Sequence, residues 1–105
     1  MFKYTITEGE NESASISFIG DLDIDGTELM TDEITPKLLK YKAIEIDFKG
    51  VYFLDSTGIG LFMKLVKQIQ EHERYVSIVN VNEDVKELFT MLHIPQILGE
   101  DIFKD

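Results

Sequence analysis

The chain has 105 residues, of which 44% are hydrophobic, and this length and composition suit a single domain with a modest core. It contains no cysteine, which excludes a disulfide framework and a zinc–thiolate site and fits a reducing compartment. Acidic residues outnumber basic ones 20 to 10, and the formal charge of −10 disfavours nucleic-acid binding, while it fits either a basic protein partner or simple solubility.

No segment of the sequence has the composition of a signal peptide or a membrane span. The start of the chain, MFKYTITEGENE, contains no long apolar run, and no later stretch approaches the roughly 20 apolar residues of a spanning helix. We therefore predict a cytoplasmic protein with one domain, residues 1–105, and no contact with a membrane.

The first part of the chain predicts a hairpin followed by an interrupted helix. Apolar and polar residues alternate over 2–7 and again over 13–20, which is typical of two half-buried strands joined by a polar turn. Apolar residues then recur at helical spacing over 26–39. Pro36 removes a helical N–H and clashes with the preceding turn, so we expect a kink near Thr35 or two shorter helical pieces.

The remainder alternates strands with helices. Strands are predicted over 43–48 and 75–79, with a strongly amphipathic helix over 57–71 and another between 85 and 92. The apolar residues of 97–103 should pack back on the core, as helix or as strand. The order β-β-α-β-α-β-α predicts an α/β fold, with a mixed four- to five-stranded sheet flanked by helices.

The most unusual stretch, VYFLDSTGIG at residues 51–60, lies where a strand gives way to the long helix. Either Asp55 or Ser56 can cap that helix by accepting a hydrogen bond from an N–H of its first turn. Gly58 and Gly60 each cost the helix roughly 1 kcal/mol relative to alanine. They either leave the backbone around Ser56 open to another molecule, or make space for a neighbouring element.

A phosphate on Ser56 would act on a partner more than on the fold. The helix N-terminus favours an anion by about 0.3–1 kcal/mol, and the neighbouring Asp55 opposes it, so the two effects nearly cancel. Like charges and a buried phosphate at an interface can cost several kcal/mol. The turn therefore suits a binding switch better than a folding switch.

A catalytic role for Ser56 is disfavoured. A serine nucleophile needs a nearby base, and the chain offers only His72 and His93. His72 lies on the order of 20 Å away, near the far end of the same predicted helix. The sequence around Ser56 also lacks the G-x-S-x-G elbow of α/β hydrolases. We expect no enzymatic activity.

A second motif, GDLDIDG at residues 20–26, places three aspartates two residues apart, as in the first half of an EF-hand calcium loop. The match then fails, because Asp32 stands where the bidentate glutamate belongs and Glu28 replaces an apolar residue. We therefore prefer a polar turn between strand and helix, with Asp25 as its cap, over a metal site.

Taken together, these segments resemble the STAS-domain family, in particular the bacterial anti-sigma factor antagonists. The resemblance spans nearly all of the chain. It rests on GDLDIDG, AIEIDFKG, VYFLDSTGIGLFMKL and VNEDVKELFTMLHI. The string D-S-T-G alone is weak evidence, but it is fairly specific after an apolar strand, at the start of an apolar helix and at this distance from a G-x-L-D turn.

The resemblance implies a partner switch. The unmodified antagonist binds an anti-sigma factor that is also a serine kinase, and thereby frees a sigma factor. ATP-dependent phosphorylation, here at Ser56, releases the antagonist, and a metal-dependent serine phosphatase resets it. Asp23 matches an acidic family position close to that serine. The partner-binding residues would be Asp23, Asp55, Ser56, Thr57, Gly58, Ile59 and Gly60.

On this interpretation the chain is a substrate and ligand, with no cofactor or metal of its own, and is monomeric when free. Two positions depart from the family pattern. His93 stands where a glycine is common, which we expect to bear on packing, and Pro36 interrupts a helix that is often continuous. An alternative remains within the fold, a scaffold or sensor module of a signalling assembly whose output is not a sigma factor.

Overall fold

The computed structural model describes residues 1–104, and within them one mixed sheet holds four strands in the order β1-β2-β3-β4. β1 and β2 form the predicted antiparallel hairpin, whereas β2, β3 and β4 run parallel. Parallel neighbours need crossover connections, which the helices between these strands supply. The strands are β1 (Lys3–Glu8), β2 (Ser13–Ile19), β3 (Ala43–Gly50) and β4 (Tyr75–Val79).

Helices cover one face of this sheet. Alternate residues of β2 and β3, such as Phe18 and Phe48, are buried beneath them, while Ser15 and Glu45 on the other face keep access to solvent. The predicted α/β fold class is confirmed. The α-helices are α1 (Thr35–Leu38), α2 (Ser56–Glu71), α3 (Glu83–Met91) and α4 (Ile94–Leu98), with 3₁₀ turns at Ile24–Gly26 and Glu100–Ile102.

The predicted interruption before Pro36 takes the form of a π-helical stretch, Leu29–Ile34, that leads into α1. The backbone N–H of Thr35 and its hydroxyl both donate to the carbonyl of Met30, the hydroxyl at 2.8 Å. This bond from residue 35 back to residue 30 spans one residue more than an α-helical bond does. It lies immediately before Pro36, which has no N–H to donate. The expected irregularity before Pro36 is thus a change from π-helical to α-helical hydrogen bonding within one continuous helical segment, without a break into separate pieces.

The core is built around a chain of phenylalanine rings that joins the sheet to α2 and α3. The ring of Phe48 lies 5.1 Å from Phe62 and 5.9 Å from Phe89, measured between centroids, and Phe62 stacks on Phe89 at 5.3 Å. Such pairs add about 0.5–1.5 kcal/mol each beyond the burial of their area. This packing holds α2 against the sheet, and therefore fixes where its first turn lies.

The C-terminal segment packs back on the core, as predicted, and it is helical before it reaches the sheet. Leu98 at the end of α4 is buried, and the ring of Phe103 lies 6.0 Å from that of Phe89. Phe103 also forms a parallel bridge with Ile78 of β4.

His93 adopts a left-handed backbone conformation, with φ 58° and ψ 30°, between α3 and α4. A glycine is favoured at this position after a helix because a Cβ is unfavourable there. The departure from the family pattern therefore concerns the backbone conformation of an exposed residue, and its effect on packing stays a prediction.

We expect His93→Gly to raise the free energy of unfolding by about 1 kcal/mol, because it removes the Cβ from a left-handed residue. Urea denaturation followed by circular dichroism measures this change. The matched variant His93→Ala keeps a Cβ and should give no such gain. Equal stabilisation by both variants would instead point to the imidazole ring.

Candidate functional site

Two turns meet at the start of α2. The backbone N–H of Leu22 donates to the carbonyl of Phe53 at 3.0 Å, and the N–H of Asp55 donates to the carbonyl of Leu22 at 3.4 Å. Leu22 and Leu54 thereby form a parallel bridge, and both side chains are buried. The GDLDIDG turn is thus fixed against the segment that leads into Ser56.

Asp55, rather than Ser56, is the N-cap of α2. Its backbone is extended, and its Oδ1 accepts a hydrogen bond of 2.8 Å from the N–H of Gly58. Ser56 is the first residue of the helix, its side chain is exposed, and its hydroxyl has no hydrogen-bond partner within residues 1–104. The serine is therefore not needed for capping, and its hydroxyl faces solvent.

The neighbouring turn is capped by Asp23, so the expectation that Asp25 would cap it was wrong. Asp23 has an extended backbone immediately before the 3₁₀ turn Ile24–Gly26, and its Oδ1 accepts the N–H of Asp25 at 3.0 Å. Asp25 lies inside the turn, where its own side chain is exposed. The residue one position before a turn is the one whose carboxylate can reach forward to the second N–H of the turn.

The two glycines of α2 have different surroundings. A Cβ on Gly58 would lie 1.8 Å from the carbonyl oxygen of Leu22, whereas a Cβ on Gly60 would meet no atom within 4 Å. Gly58 thus makes space for the neighbouring turn. Gly60 is exposed and has no such packing role, so it leaves bare helix backbone at the surface.

The residues predicted to bind a partner thus lie on the turn and helix end described above, and they differ in exposure. Gly58 is the buried member, whereas the others reach the surface. The partly or fully exposed members are Asp23, Asp55, Ser56, Thr57, Ile59 and Gly60.

Two other functions considered from the sequence are a catalytic serine and a metal site, and residues 1–104 do not show the side-chain arrangement that either would need. His72 caps the far end of α2, roughly 24 Å along the helix axis from Ser56, and its Nδ1 lies 2.8 Å from the carbonyl oxygen of Gln68. No group of three or more His, Cys, Asp or Glu side chains in this part of the chain could hold a metal ion.

Sequence reasoning missed two exposed aromatic residues beside Ser56. Tyr52 and Phe53 are 75% and 50% exposed, because only Val51 and Leu54 of the same apolar run turn inward. The sequence pattern that could have revealed them is the apolar run 51–54, which lacks polar alternation and lies next to an exposed turn. Asn82 holds this run in place, since its side-chain NH₂ donates to the carbonyl of Val51 at 2.9 Å and its Oδ1 caps α3.

None of the helices described in residues 1–104 is long and apolar enough to cross a lipid bilayer.

The fold and the site define a class of small α/β domain, in which a capped helix presents a solvent-facing serine beside a second acidic turn. The family model of the STAS domain matches residues 4–105, and the chain belongs to that family.

Known proteins with related sequences and folds include anti-sigma factor antagonists. The chain is 22% identical over 93 residues to the anti-sigma-B factor antagonist of Bacillus subtilis (strain 168), covering 89% of this chain and 84% of the relative. Its fold matches the anti-sigma factor antagonist SpoIIAA in the unphosphorylated form, with a TM-score of 0.67 and 17% identity over 92% of this chain and 99% of that one. The phosphorylated form of Bacillus SpoIIAA matches with a TM-score of 0.68 and 19% identity, over 98% and 90% of the two chains.

Proposed function

We propose that this protein is an anti-sigma factor antagonist controlled by phosphorylation of Ser56. Unphosphorylated, it binds an anti-sigma factor that is also a serine kinase, and a sigma factor is freed. Phosphorylation releases the antagonist, and a metal-dependent serine phosphatase restores it. The observation that carries the proposal is the exposed hydroxyl of Ser56, which stands at the first residue of α2 while Asp55 supplies the cap.

The relatives support an antagonist more than a scaffold with another output. The Bacillus subtilis relative, which matches over most of both chains, is named for opposing an anti-sigma factor. The fold also matches both the phosphorylated and the unphosphorylated forms of SpoIIAA. In our proposal the domain occupies residues 1–105, is monomeric when free and acts in the cytoplasm. The kinase supplies ATP and magnesium, so the chain itself catalyses nothing and carries no cofactor.

The geometry around Ser56 suits a modification that changes binding and spares the fold. A phosphate adds roughly −1.5 to −2 charges and three acceptor oxygens. The cap of α2 does not depend on the hydroxyl that would be modified, because Asp55 accepts the hydrogen bond from the Gly58 N–H. In a complex, the new charge would lie between two surfaces, where desolvation and like-charge repulsion are largest.

The other proposed contact residues lie on the same helix end as Ser56 and on the adjoining turn. Thr57 and Ile59 lie on the first turn of α2 beside the serine, and Gly60 leaves the backbone open to close approach. Asp23, on the adjoining turn, adds an acidic side chain. Gly58 contributes indirectly, because it lets the two turns approach each other.

Purified chain mixed with its cognate anti-sigma kinase and MgATP should gain one phosphate, on Ser56. Intact-mass and peptide mass spectrometry measure its amount and position. Ser56→Ala should gain none, and the control Thr31→Ala, which removes an exposed hydroxyl outside the proposed contact residues, should be modified as the parent is. Modification of Ser56→Ala at the parental rate would contradict the proposal.

A further inference from the structure

An open groove runs beside the Ser56 turn, between the segment that follows β3 and the helix α3. Its volume is about 410 Å³. One wall carries Tyr52 and Phe53, and the other carries Leu88 and Met91. The proposed phosphorylation switch does not explain this groove, because Ser56 is not among the residues that line it.

Several of the apolar side chains that line the groove are exposed to solvent. Tyr52 and Met91 are 75% and 73% exposed, and Phe53 is half exposed. Single exposed apolar residues are ordinary on protein surfaces, but several that line one concavity are typical of an interaction site. Aromatic residues and methionine are also the apolar types enriched in protein interfaces.

The charged residues that line the groove are both acidic, Asp84 and Glu87. An occupant with basic side chains would therefore gain from charge complementarity, and an acidic one would be repelled. A second copy of this chain is disfavoured on the same ground, because each copy carries a formal charge of −10.

The groove is also continuous with the switch. Tyr52 and Phe53 precede Asp55 and Ser56 in the same segment, and Phe53 accepts the backbone hydrogen bond from Leu22 that joins the two turns. Asn82 ties the base of α3 to this segment through its bond to the Val51 carbonyl. A partner that covers Ser56 can therefore reach the groove without a change in the fold.

We propose that this groove docks an apolar segment of the anti-sigma kinase that is flanked by lysine or arginine. The inference rests on the proposed function and adds a second contact area to it, which positions the kinase so that its active site reaches Ser56. Apolar side chains of that segment fill the space between Tyr52 and Met91, and its basic side chains lie against Asp84 and Glu87.

Binding of the unphosphorylated chain to its purified kinase tests this proposal by titration calorimetry. Tyr52→Ala and Met91→Ala should each raise Kd about tenfold or more, as truncation of a central interface residue does. Ile97→Ala is the matched control, since Ile97 is an apolar residue of α4, 53% exposed and outside the groove lining, and it should leave Kd unchanged. Thermal denaturation of each variant checks that the fold is kept.

The charge complementarity has its own test. Glu87→Lys should raise Kd about tenfold at low salt and flatten its dependence on salt concentration, because the attraction it removes is screened by ions. Glu71→Lys, at the opposite end of α2, makes the same change in net charge and should have little effect.

Two results would overturn the groove proposal while leaving the switch intact: groove variants that bind the kinase as tightly as the parent, or a parental dimer in sedimentation that Met91→Ala dissociates. The second result would assign the groove to another copy of this chain. A parent chain that does not bind an anti-sigma kinase at all would overturn both proposals.

Discussion

Ser56→Asp should weaken binding to the anti-sigma kinase by a hundred- to thousandfold, while the free energy of unfolding changes by less than about 1 kcal/mol. The loss of affinity corresponds to roughly 3–4 kcal/mol. This is the cost expected when a charge is buried at an interface without an opposite charge to pair with it. The small effect on stability follows from the position of Ser56, which is exposed and does not cap α2. An acidic side chain there gains about 0.3–1 kcal/mol from the helix dipole and loses some of this to Asp55.

Titration calorimetry with the purified kinase and urea denaturation of the free variant give the two numbers. Ser56→Ala is the control, because it removes the hydroxyl without adding charge and should bind within a few-fold of the parent. The chain phosphorylated at Ser56 should behave as the aspartate variant does. A large loss of stability with unchanged affinity would make this turn a structural element and not a switch.

Gly58→Ala should destabilise the protein by about 3 kcal/mol, at the upper end of the usual cost of overpacking. Its Cβ would lie 1.8 Å from the carbonyl oxygen and 2.6 Å from the carbonyl carbon of Leu22. These are backbone atoms and cannot rotate away, so either α2 or the 20–26 turn must shift. That shift would also disturb the bridge between Leu22 and Leu54.

Gly60→Ala provides the matched control within the same helix. Its Cβ would meet nothing within 4 Å, and the substitution should stabilise the free protein by about 1 kcal/mol through helix propensity alone. Urea denaturation of the two variants measures the difference, which should approach 4 kcal/mol. Similar stabilities for both would mean that the contact with Leu22 yields easily. Weaker kinase binding by the more stable Gly60→Ala would show that the partner needs bare backbone there.

Much of the fold could be predicted from local patterns in the sequence. The alternation over 2–7 and 13–20 and the apolar stripe of α2 each depend on the spacing of neighbouring residues along one element. The irregularity before Pro36 depends on a single residue that lacks an N–H. Because these signals are contained within a few turns or a few strand residues, they do not require knowledge of what packs against them.

The candidate site depended on contacts between distant parts of the chain. The sequence left open whether Asp55 or Ser56 caps α2, and the structure assigns this role to Asp55 because of the backbone conformation that Leu22 holds in place. The cap of the first turn was predicted one aspartate too late, since the start of a 3₁₀ turn has no periodic signal. The sequence also left two reasons for a helix-destabilising glycine at position 58, an open backbone around Ser56 or space for a neighbouring element. The close approach of Leu22 decides for the second reason.

By itself, the sequence determined the order of strands and helices, the apolar faces that pack together and the presence of a serine at the start of α2. Only the tertiary structure decided that this serine is exposed, that Gly58 and Gly60 have different roles, and that Tyr52 and Phe53 form one wall of a groove with α3. The physical reason is the range of the interactions. Periodicity and propensity act between near neighbours in the chain, whereas exposure and close approach depend on elements that fold together from distant positions.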